Sequence, residues 1–97
     1  MSKENTNNNP KEEQQNTVLM MMLIQQHQQI GLMGLGEMEH PATGKKEKDL
    51  KTVKYAIDTL HMLEVYTKGN LPDELAEYLG KTLTDLRIKY VDAGKES

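Results

Sequence analysis

Apolar residues recur every three or four positions along three long segments of this chain, and glycine and proline residues separate the segments. This spacing gathers side chains on one side of an α-helix, whose residues turn by about 100° each. We therefore predict helices at about 17–35, 50–68 and 72–92. The predicted fold class is all-α, either a three-helix up-down-up bundle or a helical hairpin plus a helix.

The residues before the first helix are almost entirely polar. A segment this poor in apolar residues cannot bury enough surface to offset the entropy lost on ordering. We predict a disordered tail at 1–16, a helical domain at 17–94 and a short C-terminal tail at 95–97. Asn16 or Thr17 is expected to cap the first helix.

The third helix carries one apolar stripe, whereas each of the first two carries two. On the third helix, the stripe consists of Leu75, Tyr78, Leu79, Thr82, Leu83, Leu86 and Tyr90. The second helix has a core stripe of Leu50, Val53, Ala56, Ile57, Leu60 and Leu63, and a weaker stripe of Tyr55, Thr59, Met62 and Tyr66. On the first helix, one stripe contains Leu19, Met22, Leu23, Ile30 and Met33 with Gln26 in its middle, and the second face carries Met20, Met21, Ile24, Leu32 and Leu35.

These surplus apolar faces predict self-association, because three helices cannot cover them all within one monomer. A folding unit of about eighty residues is also marginal on its own. The chain has no Phe, Trp or Cys, so its core depends on aliphatic residues and Met, and no disulfide can strengthen it. We predict a homodimer with the candidate interface residues Met20, Met21, Ile24, Leu32, Leu35, Tyr55, Met62 and Tyr66. The alternative is that these side chains are simply exposed, since apolar atoms are common on protein surfaces.

The breaks between the helices have the residues that turns require. Gly36 is placed to end the first helix in a left-handed conformation, and Asp49 is placed to cap the second. Gly69 is expected to follow the end of the second helix, and Pro72 suits the first turn of the third. The predicted structural turn comprises Thr67, Gly69, Asn70, Leu71 and Pro72, and it implies antiparallel neighbours.

Asp58, His61 and Glu64 are the candidate metal ligands. An acid and a histidine three residues apart share one side of a helix, and carboxylate-bridged metal bundles use this spacing. The structural alternative is a surface cluster in which Lys54 pairs with Asp58. His27 is also ambiguous: it either belongs to a proton-sensitive polar layer or, with Gln26, fixes the register of a helical interface.

The stretch IDTLHMLEVYTKGNL at 57–71 resembles the bacterial domain-of-unknown-function family eighteen-forty-four, whose pattern reads roughly "ID-L--L--KT-GNL". The residues that fit the family's "L--LR--Y" ending are Leu83, Leu86, Arg87 and Tyr90, and Leu35-Gly36 with Pro41 resemble its loop. The resemblance covers about 18–91, and Thr67 to Leu71 is its most specific part. It implies a small helical cytosolic protein and supplies no activity. His61 lies within the matched stretch, but it is not one of the residues of the family's pattern.

The remaining features narrow the class of function. A net charge of −3 argues against nucleic acid or an anionic membrane as the main partner. The run Gln25–Gln29 would lie at the centre of any bilayer span, so we expect no membrane span and, without a visible secretory signal, a cytoplasmic location. With no Cys, and Ser only at positions 2 and 97, no catalytic nucleophile or cofactor is expected. The sequence favours a non-enzymatic, self-associating helical module that binds protein; the alternative is a metal- or small-ligand-binding helical bundle.

Overall fold

The computed structural model describes residues 10–96 and contains three α-helices within them: α1 at Pro10–Gly34, α2 at Leu50–Thr67 and α3 at Asp73–Glu96. Each helix packs against the other two. The all-α prediction is therefore confirmed. Residues 1–9 of the predicted tail, and Ser97, lie outside the described residues. No helix within the described range combines the length and apolar character needed to cross a membrane.

The first helix begins at Pro10, ahead of the predicted start at Thr17. Proline suits the first position of a helix because an N–H at that position would have no partner in the helix. Glu12 and Glu13 lie in the first turn, where negative charge favours the positive end of the helix dipole. The Thr17 hydroxyl donates to the Glu13 carbonyl oxygen at 2.9 Å, so this residue lies inside the helix. The predicted cap at Asn16 or Thr17 is therefore wrong, and the last part of the predicted tail is helical.

At the other end of the chain, α3 continues to Glu96, past its predicted end at Asp92. Ala93 is buried in the core, so the added turn of helix has a packing contact. The predicted tail at 95–97 is correspondingly helical over 95 and 96.

The joint between α1 and α2 is built as the sequence predicts. Gly36 has a φ of 80°, and its N–H donates to the Met33 carbonyl oxygen at 3.0 Å. The next N–H, that of Glu37, donates to the Leu32 carbonyl oxygen at 2.9 Å, which completes a Schellman motif. The Asp49 carboxylate accepts the Lys51 N–H at 3.1 Å and caps α2.

The turn between α2 and α3 depends on Gly69, whose φ is 82°. The Asn70 N–H donates to the Thr67 carbonyl oxygen at 2.8 Å, and the Thr67 hydroxyl donates to the Leu63 carbonyl oxygen at 2.6 Å. Leu71 is half-buried against the core. The predicted left-handed glycine is confirmed, and α3 follows immediately at Asp73.

α1 packs very closely against α2 and α3 at two of its glycines. A Cβ atom on Gly34 would lie 2.8 Å from Val53 Cγ2 and 2.9 Å from the Asp49 carbonyl oxygen. A Cβ on Gly31 would lie 2.9 Å from Leu86 Cδ2 on α3. Because each of these glycines has only a hydrogen atom in place of a side chain, α1 can pack this closely.

This close approach decides which face of α1 is buried. The buried residues of α1 are Ile24, His27, Gly31 and Gly34. Leu19 and Met22, which belong to the other apolar stripe of the first helix, are 62% and 58% exposed. The face of the first helix that the sequence analysis offered as an interface therefore packs on the core of its own chain, and part of the other stripe faces outward.

Candidate interaction surface

Large apolar side chains are exposed along one side of α1 and one side of α2. We define the hairpin face as the α1 residues Leu19, Met22, Leu23, Gln26, Ile30 and Met33 together with the α2 residues Tyr55, Thr59, Met62 and Tyr66. At about 100° per residue, the α1 members share one side of the helix, and Gln26 lies about 200° from the buried Ile24. Tyr66 is the most exposed of the set, at 78%.

Four contacts show how α1 and α2 are aligned. A Cβ added on Gly34 would lie 2.8 Å from Val53 Cγ2, and one added on Gly31 would lie 3.5 Å from Ala56 Cβ. The Asp49 N–H donates to the Gly34 carbonyl oxygen at 2.7 Å, and the His27 and Tyr55 rings lie 5.7 Å apart between centroids. The helices are therefore antiparallel. In these four pairs the two residue numbers sum to between 82 and 87, with a mean of about 85, so Gln26 is level with about Thr59.

The same alignment of α1 with α2 places Leu19 level with Tyr66. The third helix, α3, packs against the other side of the α1–α2 pair. Leu86 of α3 reaches Gly31 of α1, and Arg87 Nη2 donates to His61 Nδ1 of α2 at 3.2 Å. The hairpin face is therefore turned away from α3, and its two stripes lie side by side.

His27 is buried at the edge of the hairpin face and contacts Tyr55. Its ring is 7% exposed, and its Nδ1–H donates to the Leu23 carbonyl oxygen at 2.9 Å. A carbonyl can only accept, so Nδ1 carries a proton, and in the neutral ring Nε2 accepts from the Tyr55 hydroxyl, 3.5 Å away. His27 thus holds Tyr55 in place while the tyrosine itself stays 55% exposed. Of the two polar residues considered for a register role, Gln26 is the exposed one and His27 is the buried one.

The predicted interface residues divide between the two helices. On α2, Tyr55, Met62 and Tyr66 all lie on the hairpin face. On α1, Ile24 and Leu35 are core residues of the same chain, and the other predicted members pack partly buried against that core: Met20, Met21 and Leu32. Ile24 and Leu35 are therefore not available to a partner, and the exposed apolar side of α1 is the opposite one, which carries Leu19 and Met22.

The structure does not bring the three candidate metal ligands together. Asp58 Oδ2 accepts from Lys54 Nζ at 2.7 Å, and this hydrogen bond and the charge attraction raise the pKa of the lysine above its ordinary value. His61 Nδ1 lies 3.7 Å from Glu64 Oε1. Within residues 10–96, no group of three or more His, Asp and Glu side chains is placed to hold a metal ion.

His61 and Glu64 instead border an open groove of about 520 Å³ between α2 and α3. The α2–α3 turn, including Thr67 and Gly69, forms one end of the groove, and Leu79 lies in its wall. Its lining is mostly apolar, with the histidine and the carboxylate among the few polar groups. The groove could hold a small organic molecule better than a metal ion, because hard and borderline ions need several donors at once.

Comparison with known proteins agrees with the sequence resemblance. The model of a family described as a domain of unknown function, DUF1844, matches residues 17–92. The match covers all of α2, most of α3 and the part of α1 that contains the hairpin face. No curated protein matches the chain, and no solved structure matches it.

Proposed function

Because this chain belongs to the DUF1844 family of domains of unknown function, we propose its role from the hairpin face. We propose that the protein is a non-enzymatic helical module that self-associates through this face and presents the assembled surface to other proteins. The observation that carries the proposal is the pair of aligned apolar stripes on α1 and α2.

The area of the face supports this proposal. Five of its large side chains are between 43% and 78% exposed: Leu19, Met22, Tyr55, Met62 and Tyr66. At about 200 Å² for a large side chain, they present about 600 Å² of accessible surface. That is at the upper end of the largest apolar patch on a typical monomer, about 300–600 Å². A stable interface buries about 800 Å² per partner, and the half-buried members of the face can contribute the remainder.

The charge pattern of the face supports a second copy as its partner. The chain is 28% charged, yet no Asp, Glu, Lys or Arg occurs between Thr17 and Gly36. The α2 members of the face are likewise uncharged. Two identical faces can therefore meet without opposing like charges, which would otherwise cost association energy.

The test is the mass of the untagged full-length chain in solution by sedimentation velocity or native mass spectrometry. We expect a dimer, and we expect Leu19→Glu to weaken it by about 100-fold or more, because a carboxylate would be desolvated without a partner. Ile88→Glu is the matched control: Ile88 is 56% exposed, but it lies on α3 outside the hairpin face. Circular dichroism should give the same helix content for both variants.

A monomeric wild-type chain at micromolar concentration would refute self-association. A wild-type dimer that Leu19→Glu leaves intact, and that Ile88→Glu dissociates, would move the interface to α3. Both results can be read without knowing any other partner.

Ligand binding at the α2–α3 groove is the second candidate function, and the observation that favours it is the His61–Glu64 pair at an apolar groove. Native mass spectrometry of protein purified without chelator would then find a stoichiometric small-molecule or metal adduct. His61→Ala should abolish that adduct while leaving the dimer unchanged, because His61 is outside the hairpin face. An adduct-free wild-type protein would count against this function.

A further inference from the structure

The hairpin face has a symmetry in its residue spacing that specifies how two copies would meet. Leu19 and Met33 stand seven residues before and seven residues after Gln26. Met22 and Ile30 stand four residues before and four residues after it. Reversing the direction of α1 about Gln26 therefore superimposes these five positions on one another, while Leu23 falls on Gln29.

The α2 stripe has the same property. Its members Tyr55, Thr59, Met62 and Tyr66 are separated by four, three and four residues, so the stripe is symmetric about the point midway between Thr59 and Met62. Because Gln26 is level with Thr59, the two centres of symmetry lie within about two residues, or about 3 Å, along the helices. A single axis that crosses both helices at right angles can serve both stripes.

We propose, resting on the self-association above, that the dimer has a two-fold axis at Gln26, with α1 antiparallel to the partner's α1 and α2 antiparallel to the partner's α2. In this arrangement Leu19 faces Met33 across the axis, and Met22 faces Ile30. On α2, Tyr55 faces Tyr66. Each copy uses the same patch, as a two-fold interface requires.

The chemistry of the central residue fits a position on the axis. A primary amide has both a carbonyl acceptor and N–H donors, so two copies of Gln26 satisfy each other with a reciprocal pair of hydrogen bonds. A charged side chain on the axis would face the same charge on the partner copy. An aliphatic side chain there would allow the two α1 helices to slide along each other. A lone polar residue in an otherwise apolar seam fixes register because any other alignment buries it without a partner. Gln26 therefore determines the alignment of the dimer.

The chain has no cysteine, so single-cysteine variants of the full-length protein report the geometry directly. Gln26→Cys should form an intermolecular disulfide under mild oxidation, because a disulfide needs Cα atoms about 4.4–6.8 Å apart and the axis brings the two copies of this position together. Gln25→Cys is the matched control, since it changes an exposed glutamine that lies about 100° away around α1. It should remain reduced.

A second pair of variants keeps Gln26 intact. In the proposed dimer, the two copies of position 19 are separated by about 21 Å along the helices, at about 1.5 Å per residue. Leu19→Cys and Met33→Cys should therefore each fail to cross-link alone, and they should cross-link to each other when the two proteins are mixed and allowed to exchange subunits.

The outcomes separate this inference from the proposed function. A wild-type dimer in which Leu19→Cys cross-links to itself, and the mixture gives no hetero-disulfide, would mean parallel helices; it would overturn the axis and leave self-association standing. A wild-type dimer in which Gln25→Cys cross-links and Gln26→Cys does not would place a different side of α1 at the interface. A wild-type monomer would overturn both proposals.

Discussion

Replacing Gly34 by alanine should separate α1 from α2, and the size of the effect follows from the packing at this residue. The added Cβ would lie 2.8 Å from Val53 Cγ2 and 2.9 Å from both the Asp49 carbonyl oxygen and the Val53 nitrogen. Two of these three atoms belong to the backbone of the first turn of α2, so no side-chain rotation relieves the clash. The helices must move apart, and the 2.7 Å hydrogen bond from the Asp49 N–H to the Gly34 carbonyl oxygen lengthens with them.

The energies can be compared term by term. Overpacking typically costs about 1–3 kcal/mol, and the weakened hydrogen bond costs up to about 1 kcal/mol. Alanine in place of glycine gains at most about 1 kcal/mol in helix propensity, and less than that at the helix end. We expect a net loss of about 2 kcal/mol in the free energy of unfolding. For a domain of this size, that lowers Tm by about 8–16 °C.

Thermal melts followed by circular dichroism, all at one protein concentration because association adds to stability, would measure this loss. Gly80→Ala is the matched control: it is also a helical glycine, and among the described residues beyond its own turn of helix, Glu64 Oε2 at 3.8 Å is the one atom within 4 Å of its added Cβ. That variant should gain about 0.5–1 kcal/mol from propensity alone. If Gly34→Ala melts at or above the wild-type temperature while Gly80→Ala is stabilised, then the backbone contact does not limit the approach of α1.

Two further changes test the turn and the buried histidine. Gly69→Val should lower the free energy of unfolding by more than about 1 kcal/mol, because a β-branched residue does not readily adopt the φ of 82° found there. Within residues 10–96 nothing lies within 4 Å of an added Cβ, so a melting curve equal to that of the wild type would refute the strain argument. His27→Ala should lower the free energy of unfolding, measured by urea denaturation, by about 2–3 kcal/mol, because it leaves a cavity beside Tyr55. The exposed control Gln25→Ala should change that free energy by less than about 0.5 kcal/mol. Equal losses in the two variants would show that the His27 ring does not support the fold.

The parts of the fold that the sequence predicts correctly are those in which one signal acts alone. On α3 the spacing gives a single stripe, and its buried members Leu75, Leu79 and Leu83 are those that the spacing indicates. Two of the three glycines with positive φ among the described residues, Gly36 and Gly69, stand where a helix ends and the left-handed backbone disfavours a β-carbon. In these places local chemistry and packing require the same residue.

The parts that the sequence predicts incorrectly are those in which hydrophobicity is the wrong criterion. The N-terminal turns of α1 have almost no apolar residue to pack, but a solvated helix can continue when it starts with proline and has Glu12 and Glu13 in its first turn. For the orientation of α1, the two faces offered similar apolar content. A backbone contact decided between them, and the signal was available: Ile24, His27 and Gly31 follow at intervals of three and four, in line with Gly34.

The same glycines explain why an apolar face is left outside. A helix can turn only one side toward two neighbours, and α1 turns the side on which Gly31 and Gly34 admit the other helices most closely. The bulkier stripe, with Leu19 and Met22, then has no cover from its own chain. Charged residues at those positions would leave the monomer core unchanged, because these side chains do not contribute to it. Their apolar character would stabilise the protein most if a second surface covered the stripe, and in the dimer that we propose this surface is the same stripe of another copy, as the spacing about Gln26 favours.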